Sequence, residues 1–93
     1  MAAEAHSVLF YTKAGCHLCH DARWMLQGLG SRYPLIVTEV DIASDEALRQ
    51  RYGEAIPVIV VDGRFTLAGR IDEADLDEWL AEHPPVSTPP PGP

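Results

Sequence analysis

The chain has 93 residues, of which 46% are apolar, and its formal net charge is −7. This length predicts one domain, and the apolar fraction suffices for a core without a metal or a disulfide framework. The acidic excess argues against nucleic acids and anionic membranes as partners, because both select basic surfaces.

Neither the first residues nor the apolar segments carry an export or membrane signal. Residues 1–6 lack a basic region followed by an apolar stretch. The longest apolar run, residues 55–61, is 7 residues long, against the roughly 20 that a membrane-spanning helix needs. We therefore expect a cytoplasmic protein, in which two cysteines favour catalysis or metal binding over a structural disulfide.

The first half of the chain alternates strand and helix patterns. Residues 7–11 are apolar and aromatic, which predicts a buried strand that ends in a turn. From Cys16 onward the pattern becomes that of an amphipathic helix. The apolar positions of this helix are Leu18, Ala22, Met25, Leu26 and Leu29. Residues 35–40 predict a second strand.

The second half predicts a short helix and a hairpin. Ser44 is a suitable N-cap for the helix, and Gly53 is a suitable end. Residues 57–61 are continuously apolar, which predicts a central third strand. The Asp-Gly pair at residues 62–63 is a strong hairpin signal and leads into a fourth strand at residues 65–68.

A last helix completes the fold. It is capped by Asp72 and turns Leu76, Trp79 and Leu80 inward. The order β-α-β-α-β-β-α predicts an α/β domain with one mixed four-stranded sheet and helices on both faces, and with a right-handed crossover between its first, parallel strands. We assign residues 1–83 to this domain. Residues 84–93 are rich in proline and are predicted to be a disordered tail.

The two cysteines open the first helix. Residues three apart on a helix have side chains about 5–6 Å apart on one face. Disulfide bonding needs Cα separations of about 4.4–6.8 Å, so the first turn of a helix can hold the pair oxidised or reduced with little backbone movement. A helix N-terminus stabilises a thiolate, the form that attacks disulfides. Cys16 is nearest the helix end and is predicted to be the more exposed and more acidic thiol. Cys16 is thus the candidate nucleophile, and Cys19 the candidate resolving thiol.

A Cys-x-x-Cys motif that opens a helix after a buried first strand is typical of thioredoxin-like proteins. Residues 11–19, Tyr-Thr-Lys-Ala-Gly-Cys-His-Leu-Cys, resemble the strand, turn and motif of the glutaredoxin-like family of the thioredoxin superfamily. Residues 52–58, Tyr-Gly-Glu-Ala-Ile-Pro-Val, are similar to the segment that carries the family's cis-proline. Residues 68–69 lie where the family often has a Gly-Gly pair. The resemblance spans about residues 7 to 82.

The resemblance implies a thioredoxin-like fold of the glutaredoxin type and a thiol–disulfide oxidoreductase. It implies that Pro57 follows a cis bond beside the cysteines, and that the backbone of Ile56 pairs with a substrate chain as an added strand. Lys13 stands where glutathione-using members place a basic residue, and Gly69 belongs to the same binding surface. The pair between the cysteines, His-Leu, is typical of neither glutaredoxins nor thioredoxins.

We expect the protein to act on a substrate with an external reductant and to bind no cofactor. The substrate is a disulfide-containing protein or a small thiol, and the reductant is external: glutathione, another low-molecular-weight thiol, or a reductase. We expect a monomer that binds neither nucleic acid nor membrane.

Other interpretations of the motif remain open. A non-catalytic thioredoxin-like module is the main alternative, holding a metal or cluster through Cys16 and Cys19 with His17 or His20. Residues 16–20 also match the haem attachment pattern Cys-x-x-Cys-His, although the readable strands and the missing export signal argue against a cytochrome.

Three side chains outside the motif are predicted to lie at the surface or in the core and to take no part in the chemistry. His6 and His83 lie at the ends of the fold and are predicted to be exposed. Trp24 is predicted to pack in the core or at its rim.

Overall fold

The computed structural model describes residues 4–85. The strands are β1 (His6–Thr12), β2 (Leu35–Asp41), β3 (Val58–Val61) and β4 (Phe65–Ala68). The helices are α1 (His17–Gly30), α2 (Glu46–Tyr52) and α3 (Glu73–Glu82). This is the predicted order, with a 3₁₀ turn at Ile42–Ser44 added between β2 and α2. Most of the proline-rich tail, residues 86–93, lies outside the described residues.

The four strands form one mixed sheet in the order β2-β1-β3-β4. β1 is parallel to β2, and β3 is antiparallel to both β1 and β4. β1 and β3 are therefore the two central strands, and the prediction of a mixed four-stranded sheet is confirmed. No helix within residues 4–85 is long and apolar enough to cross a membrane.

The main core lies between one face of this sheet and the helices α1 and α3. Alternate residues of β1 point to this face, because successive side chains of a strand point to opposite sides. The buried residues of the core come from β1, α1, β3 and α3: Val8, Phe10, Cys19, Ala22, Leu26, Leu29, Ile59, Val61, Leu76 and Leu80. The predicted apolar stripes of α1 and α3 thus supply half of these ten residues: Ala22, Leu26, Leu29, Leu76 and Leu80.

The opposite face of the sheet is covered by α2. The ring of Tyr52 at the end of α2 stacks on the ring of Tyr11 in β1, with centroids 4.5 Å apart. Val58 and Ile42 are buried as well. Helices on both faces of the sheet are therefore confirmed, although α2 itself has no buried residue.

Several element boundaries differ from prediction by one residue: β1 extends one residue further at each end, and β2 ends at Asp41 and not at residue 40. The N-cap of α2 is Asp45 and not Ser44, because the Asp45 carboxylate accepts the backbone N–H of Leu48 at 3.1 Å while Ser44 ends the preceding 3₁₀ turn. β3 begins at Val58, one residue after the predicted start at Pro57. Pro57 has no N–H for the ladder, and its preceding bond is cis.

The hairpin between β3 and β4 forms as predicted. Asp62 and Gly63 have φ values of 54° and 66°, the pair of left-handed residues that a type I′ turn requires. Aspartate and glycine tolerate this region better than other residues, which explains why the Asp-Gly signal was decisive.

The prediction that His6 is exposed is wrong. His6 is 0% exposed, because its Nδ1 donates to the Asp62 carboxylate at 2.6 Å. The same carboxylate accepts the backbone N–H of Ser7 at 2.8 Å. The ring of Trp79 meets the His6 ring edge-on, with centroids 5.9 Å apart. A carboxylate acceptor for Nδ1 and an aromatic neighbour thus accompany the burial of the ring, while its Nε2 has no hydrogen-bond partner among the described residues.

The predictions for His83 and Trp24 also need correction. His83 is partly buried, since its ring stacks on Trp79 at 4.2 Å between centroids. Trp24 is 65% exposed and packs in neither core nor rim. Its indole N–H instead donates to Nε2 of His20 at 3.1 Å, one turn back along α1.

Candidate dithiol site at the start of the first helix

The end of β1 and a glycine turn place the cysteines. β1 ends at Thr12, and α1 begins at His17. Gly15, within the connecting turn, has a φ of 81°, a left-handed conformation that glycine adopts without strain. The turn sets Cys16 immediately before the first helical residue, as the motif predicted.

Cys16 is the N-cap of α1. Its backbone is extended, and its sulfur accepts the backbone N–H of Cys19 at 3.1 Å. The other two α-helices have an aspartate in this position: Asp45 caps α2, and Asp72 caps α3 by accepting from Ala74. The sulfur of Cys16 therefore occupies the place where this fold otherwise puts a carboxylate.

The first turn of α1 favours an anion more than the other helix starts do. It contains no acidic residue, whereas α2 begins with Glu46 and α3 has Glu73 and Asp75. Unpaired N–H groups and the helix dipole stabilise negative charge at such a terminus. In α1 the side chain at this terminus is that of Cys16, whose sulfur accepts the backbone N–H of Cys19.

Cys19 lies one turn further into the helix, in the core. It is 1% exposed, whereas Cys16 is half-buried. Burial raises the pKa of the Cys19 thiol, and the neighbouring Cys16 raises it further, while the Thr12 hydroxyl and the Lys13 backbone amide act in the opposite direction. The two thiols thus differ as predicted, with Cys16 the more exposed.

An open cleft of about 700 Å³ adjoins the two cysteines. It is lined by Thr12, Lys13, Ala14, Gly15, Cys16, His17, Cys19, His20, Arg23, Glu39 and Asp41. Arg23 is paired with Glu39 at 2.7 Å, whereas Lys13 is exposed in the turn. Lys13 therefore lies where a cation can attract an anionic substrate to Cys16. Among residues 4–85, no three His, Cys, Asp or Glu side chains lie together as metal ligands.

The segment around Pro57 forms a second part of the site. The Ile56–Pro57 bond is cis, as the resemblance implies. The backbone N–H of Gly69 is shared between the carbonyl oxygens of Ala55 and Pro57, each at 2.9 Å. Gly69 thereby holds the end of β4 against the proline loop.

Ile56 is less free than the resemblance implies. Its backbone N–H already donates to the carbonyl of Tyr52 at 3.1 Å, so strand-like pairing with a substrate must use the Ile56 carbonyl. Its side chain packs against the main core, as does that of Cys16.

The six predicted site residues fall into two groups. Lys13, Cys16 and Cys19 line the cleft described above. Gly69 instead lines a neighbouring groove together with Leu18, from between the cysteines, and Ile56 and Pro57 line neither opening. The sequence analysis missed Thr12, although alternation along β1 from Val8 and Phe10 places it on the inward face.

Comparisons with known proteins agree with this geometry. A family model described as a glutaredoxin-like domain (DUF836) matches residues 7–81. The chain belongs to this glutaredoxin-like family. It is 31% identical over 75 residues to an uncharacterized protein of Mycobacterium tuberculosis (strain H37Rv), covering 75% of this chain and 77% of that protein. An uncharacterized protein of Mycobacterium bovis matches equally.

Solved structures show the same architecture. The X-ray structure of a structural genomics target protein from X. campestris aligns with a TM-score of 0.69 and 30% identity, covering 83% of this chain and 99% of that one. A mutant thioredoxin from Halobacterium salinarum aligns with a TM-score of 0.70 at 19% identity, over 91% of this chain and 80% of that one. The glutaredoxin-like domain therefore has the thioredoxin-like fold, with its Cys-x-x-Cys pair at the start of α1.

Proposed function

We propose that this glutaredoxin-like protein is a thiol–disulfide oxidoreductase that uses Cys16 and Cys19. The observation that carries the proposal is the sulfur of Cys16, which takes the N-cap position of α1 and accepts the Cys19 N–H at 3.1 Å. Such a placement stabilises the thiolate, the reactive form in thiol–disulfide exchange.

The reaction runs in two balanced steps. The Cys16 thiolate attacks one sulfur of a substrate disulfide, which forms a mixed disulfide and releases the other sulfur as a thiolate. Cys19 then loses its proton and attacks the Cys16 sulfur, which closes the Cys16–Cys19 disulfide and releases the second substrate thiolate. Two electrons have passed from the protein to the substrate. An external reductant returns them: glutathione, another low-molecular-weight thiol, or a reductase.

The surrounding residues have proposed binding roles. Lys13, exposed beside the cleft, attracts an anionic disulfide. Ile56 offers its backbone carbonyl to a protein substrate, and Pro57 and Gly69 hold that loop in place through the bond from the Gly69 N–H. We propose that the protein acts as a monomer in the cytoplasm, where glutathione and thioredoxin systems keep such pairs reduced.

The test is to trap the mixed disulfide. The Cys19→Ser variant removes the resolving thiol, so Cys16 forms an adduct with a disulfide substrate that does not resolve. Mass spectrometry of the non-reduced protein is expected to show this adduct at Cys16. In the wild-type protein the adduct is expected to disappear as the intramolecular disulfide forms.

The Cys16→Asp variant is the matched control. It places a carboxylate at the N-cap of α1, as Asp45 and Asp72 do in the other helices. We expect it to fold but to form no rapid adduct. A Cys19→Ser protein that gathers no adduct, or a Cys16→Asp protein that still reduces disulfides, would contradict the proposed function.

A further inference from the structure

Thr12 carries a buried hydroxyl that has no role in the two reaction steps proposed above. The residue is 6% exposed, and its Oγ1 has no hydrogen-bond partner among the described residues. A buried hydroxyl without a partner costs about 1–3 kcal/mol in proteins, so such groups are uncommon. Valine has nearly the same shape and would fill this place without that cost.

The position of Thr12 indicates what the hydroxyl is for. Thr12 is the last residue of β1 and lies on its inward face, as Val8 and Phe10 do. Val8 and Phe10 belong to the same core as Cys19. Thr12 and Cys19 both line the cleft. Burial and the neighbouring Cys16 raise the pKa of the Cys19 thiol, whereas the Thr12 hydroxyl lowers it.

We propose that Thr12 is a positioning residue for the second half of the reaction, whose hydroxyl donates to the Cys19 sulfur when that sulfur becomes a thiolate. The inference rests on the proposed function, because it concerns the step in which Cys19 attacks Cys16. In the reduced protein Cys19 is a thiol, and the Thr12 hydroxyl has no hydrogen-bond partner among the described residues. The hydrogen bond forms as negative charge develops on the buried sulfur, where a charge-assisted bond is strongest.

The step keeps its proton balance. The proton of Cys19 leaves to solvent through the open cleft, and Thr12 keeps its own proton while donating a hydrogen bond. The Cys19 thiolate then bonds to the Cys16 sulfur, and the electron pair of the mixed disulfide leaves with the substrate thiolate. Thr12 therefore acts on Cys19 alone and leaves the first attack by Cys16 unchanged.

A coloured disulfide separates the two steps. Dithiodipyridine releases one thiopyridone when Cys16 attacks and a second when Cys19 displaces the mixed disulfide, and stopped-flow absorbance follows both. The Thr12→Val variant removes the hydroxyl and keeps the shape, whereas Thr12→Ser keeps the hydroxyl. Thr66→Val, at an exposed position of β4, controls for the substitution itself.

We expect Thr12→Val to slow the second release of thiopyridone by about tenfold at neutral pH. This is the effect expected from the loss of one hydrogen bond to a charged sulfur. The pH midpoint of that release rises, because the thiolate is less stabilised. The first release keeps its wild-type rate, and Thr12→Ser restores the second. Thermal unfolding verifies that the variants fold, and Thr12→Ala takes the place of Thr12→Val if that one does not.

The outcomes distinguish this inference from the proposed function. If the wild-type protein gives only one release, the proposed function fails and the role of Thr12 with it. If the wild-type protein gives both releases and Thr12→Val gives them at the same rates, only the role of Thr12 is refuted. The same holds if Thr12→Val slows both releases equally, or if Thr12→Ser does not restore the second, because packing alone then explains the residue.

Discussion

Cys16 and Cys19 are one helical turn apart but lie in opposite surroundings. The Cys16 sulfur is half-buried and accepts a backbone N–H at the helix start. The Cys19 sulfur is in the core, where burial raises its pKa. The two thiols therefore differ in exposure, and burial favours the protonated form of Cys19.

This difference predicts how Cys19 reacts when it is the only thiol. In the Cys16→Ser variant, the rate of Cys19 alkylation by iodoacetamide is expected to keep rising above pH ~8.5, the ordinary pKa of a free thiol. The sign follows from burial, which disfavours the charged form and moves ionisation to higher pH. Mass spectrometry after timed quenching gives the rate at each pH.

The same variant in concentrated urea is the control for this measurement. Unfolding removes the desolvation, so the midpoint of the alkylation profile is expected to fall towards the free-thiol value. A folded protein with the same midpoint as the unfolded one would show that burial of Cys19 has no effect on its ionisation.

At the residue scale, the sequence analysis succeeded where the signal was local. The burial order of the two cysteines followed from their positions at a helix start. His6 and Thr12 were missed because the first strand was predicted as residues 7–11, one residue short at each end. Extending the alternation by one residue each way would have placed both on the inward face. The partner of His6, Asp62, is 56 residues away in sequence, and no local pattern reveals it.

Among the three α-helices of residues 4–85, α2 is the one that places no residue in the core. It has no buried residue, and its contact with the sheet includes the stacked rings of Tyr11 and Tyr52. The carbonyl of Tyr52 also accepts the N–H of Ile56, just before the cis-proline. A loss of this stacking therefore weakens both α2 and the start of the proline loop.

Replacing Tyr52 tests how much this contact contributes. We expect Tyr52→Ala to lower the free energy of unfolding by about 1–3 kcal/mol, because it removes an aromatic pair and the apolar area beneath it. Gln50→Ala, on the exposed side of the same helix, is expected to change it by less than about 0.5 kcal/mol. Urea denaturation followed by circular dichroism measures both. Equal effects of the two variants would mean that the stack does not anchor α2.

Element order was predictable because each helix and turn carries its own signal. The Asp72 side chain caps α3 only two residues away in sequence, and the Asp-Gly pair at residues 62–63 forms its turn with its own backbone, so both roles were read correctly. The cap of α2 was misplaced by one residue, since Ser44 and Asp45 are both good caps and only the folded 3₁₀ turn separates their roles. The cis bond before Pro57 came from the family resemblance, because no local pattern distinguishes it from the common trans form.

On the scale of the whole molecule, β1 runs from the buried His6 to the dithiol site. Thr12 and the dithiol lie at one end, and His6 lies at the other, about 20 Å away for a strand of this length. At the His6 end, the Asp62 carboxylate bonds His6 and Ser7, and Trp79 stacks between the rings of Phe65 and His83. The dithiol and the Asp62–His6 pair lie at opposite ends of this strand, so we expect that each can be perturbed alone.

The Asp62→Asn variant tests this separation. Asparagine tolerates the left-handed turn that Asp62 adopts, but it replaces the charged acceptor of His6 with a neutral one. We expect the free energy of unfolding to fall by about 1–3 kcal/mol, as measured by urea denaturation, while the first thiopyridone release from dithiodipyridine keeps its wild-type rate. Glu78→Gln, an exposed acid on α3, is the control for loss of charge and is expected to change neither quantity. If Asp62→Asn slowed the release while the protein stayed folded, the two ends of β1 would be coupled. Wild-type stability would instead show that the buried histidine draws no net stabilisation from its carboxylate.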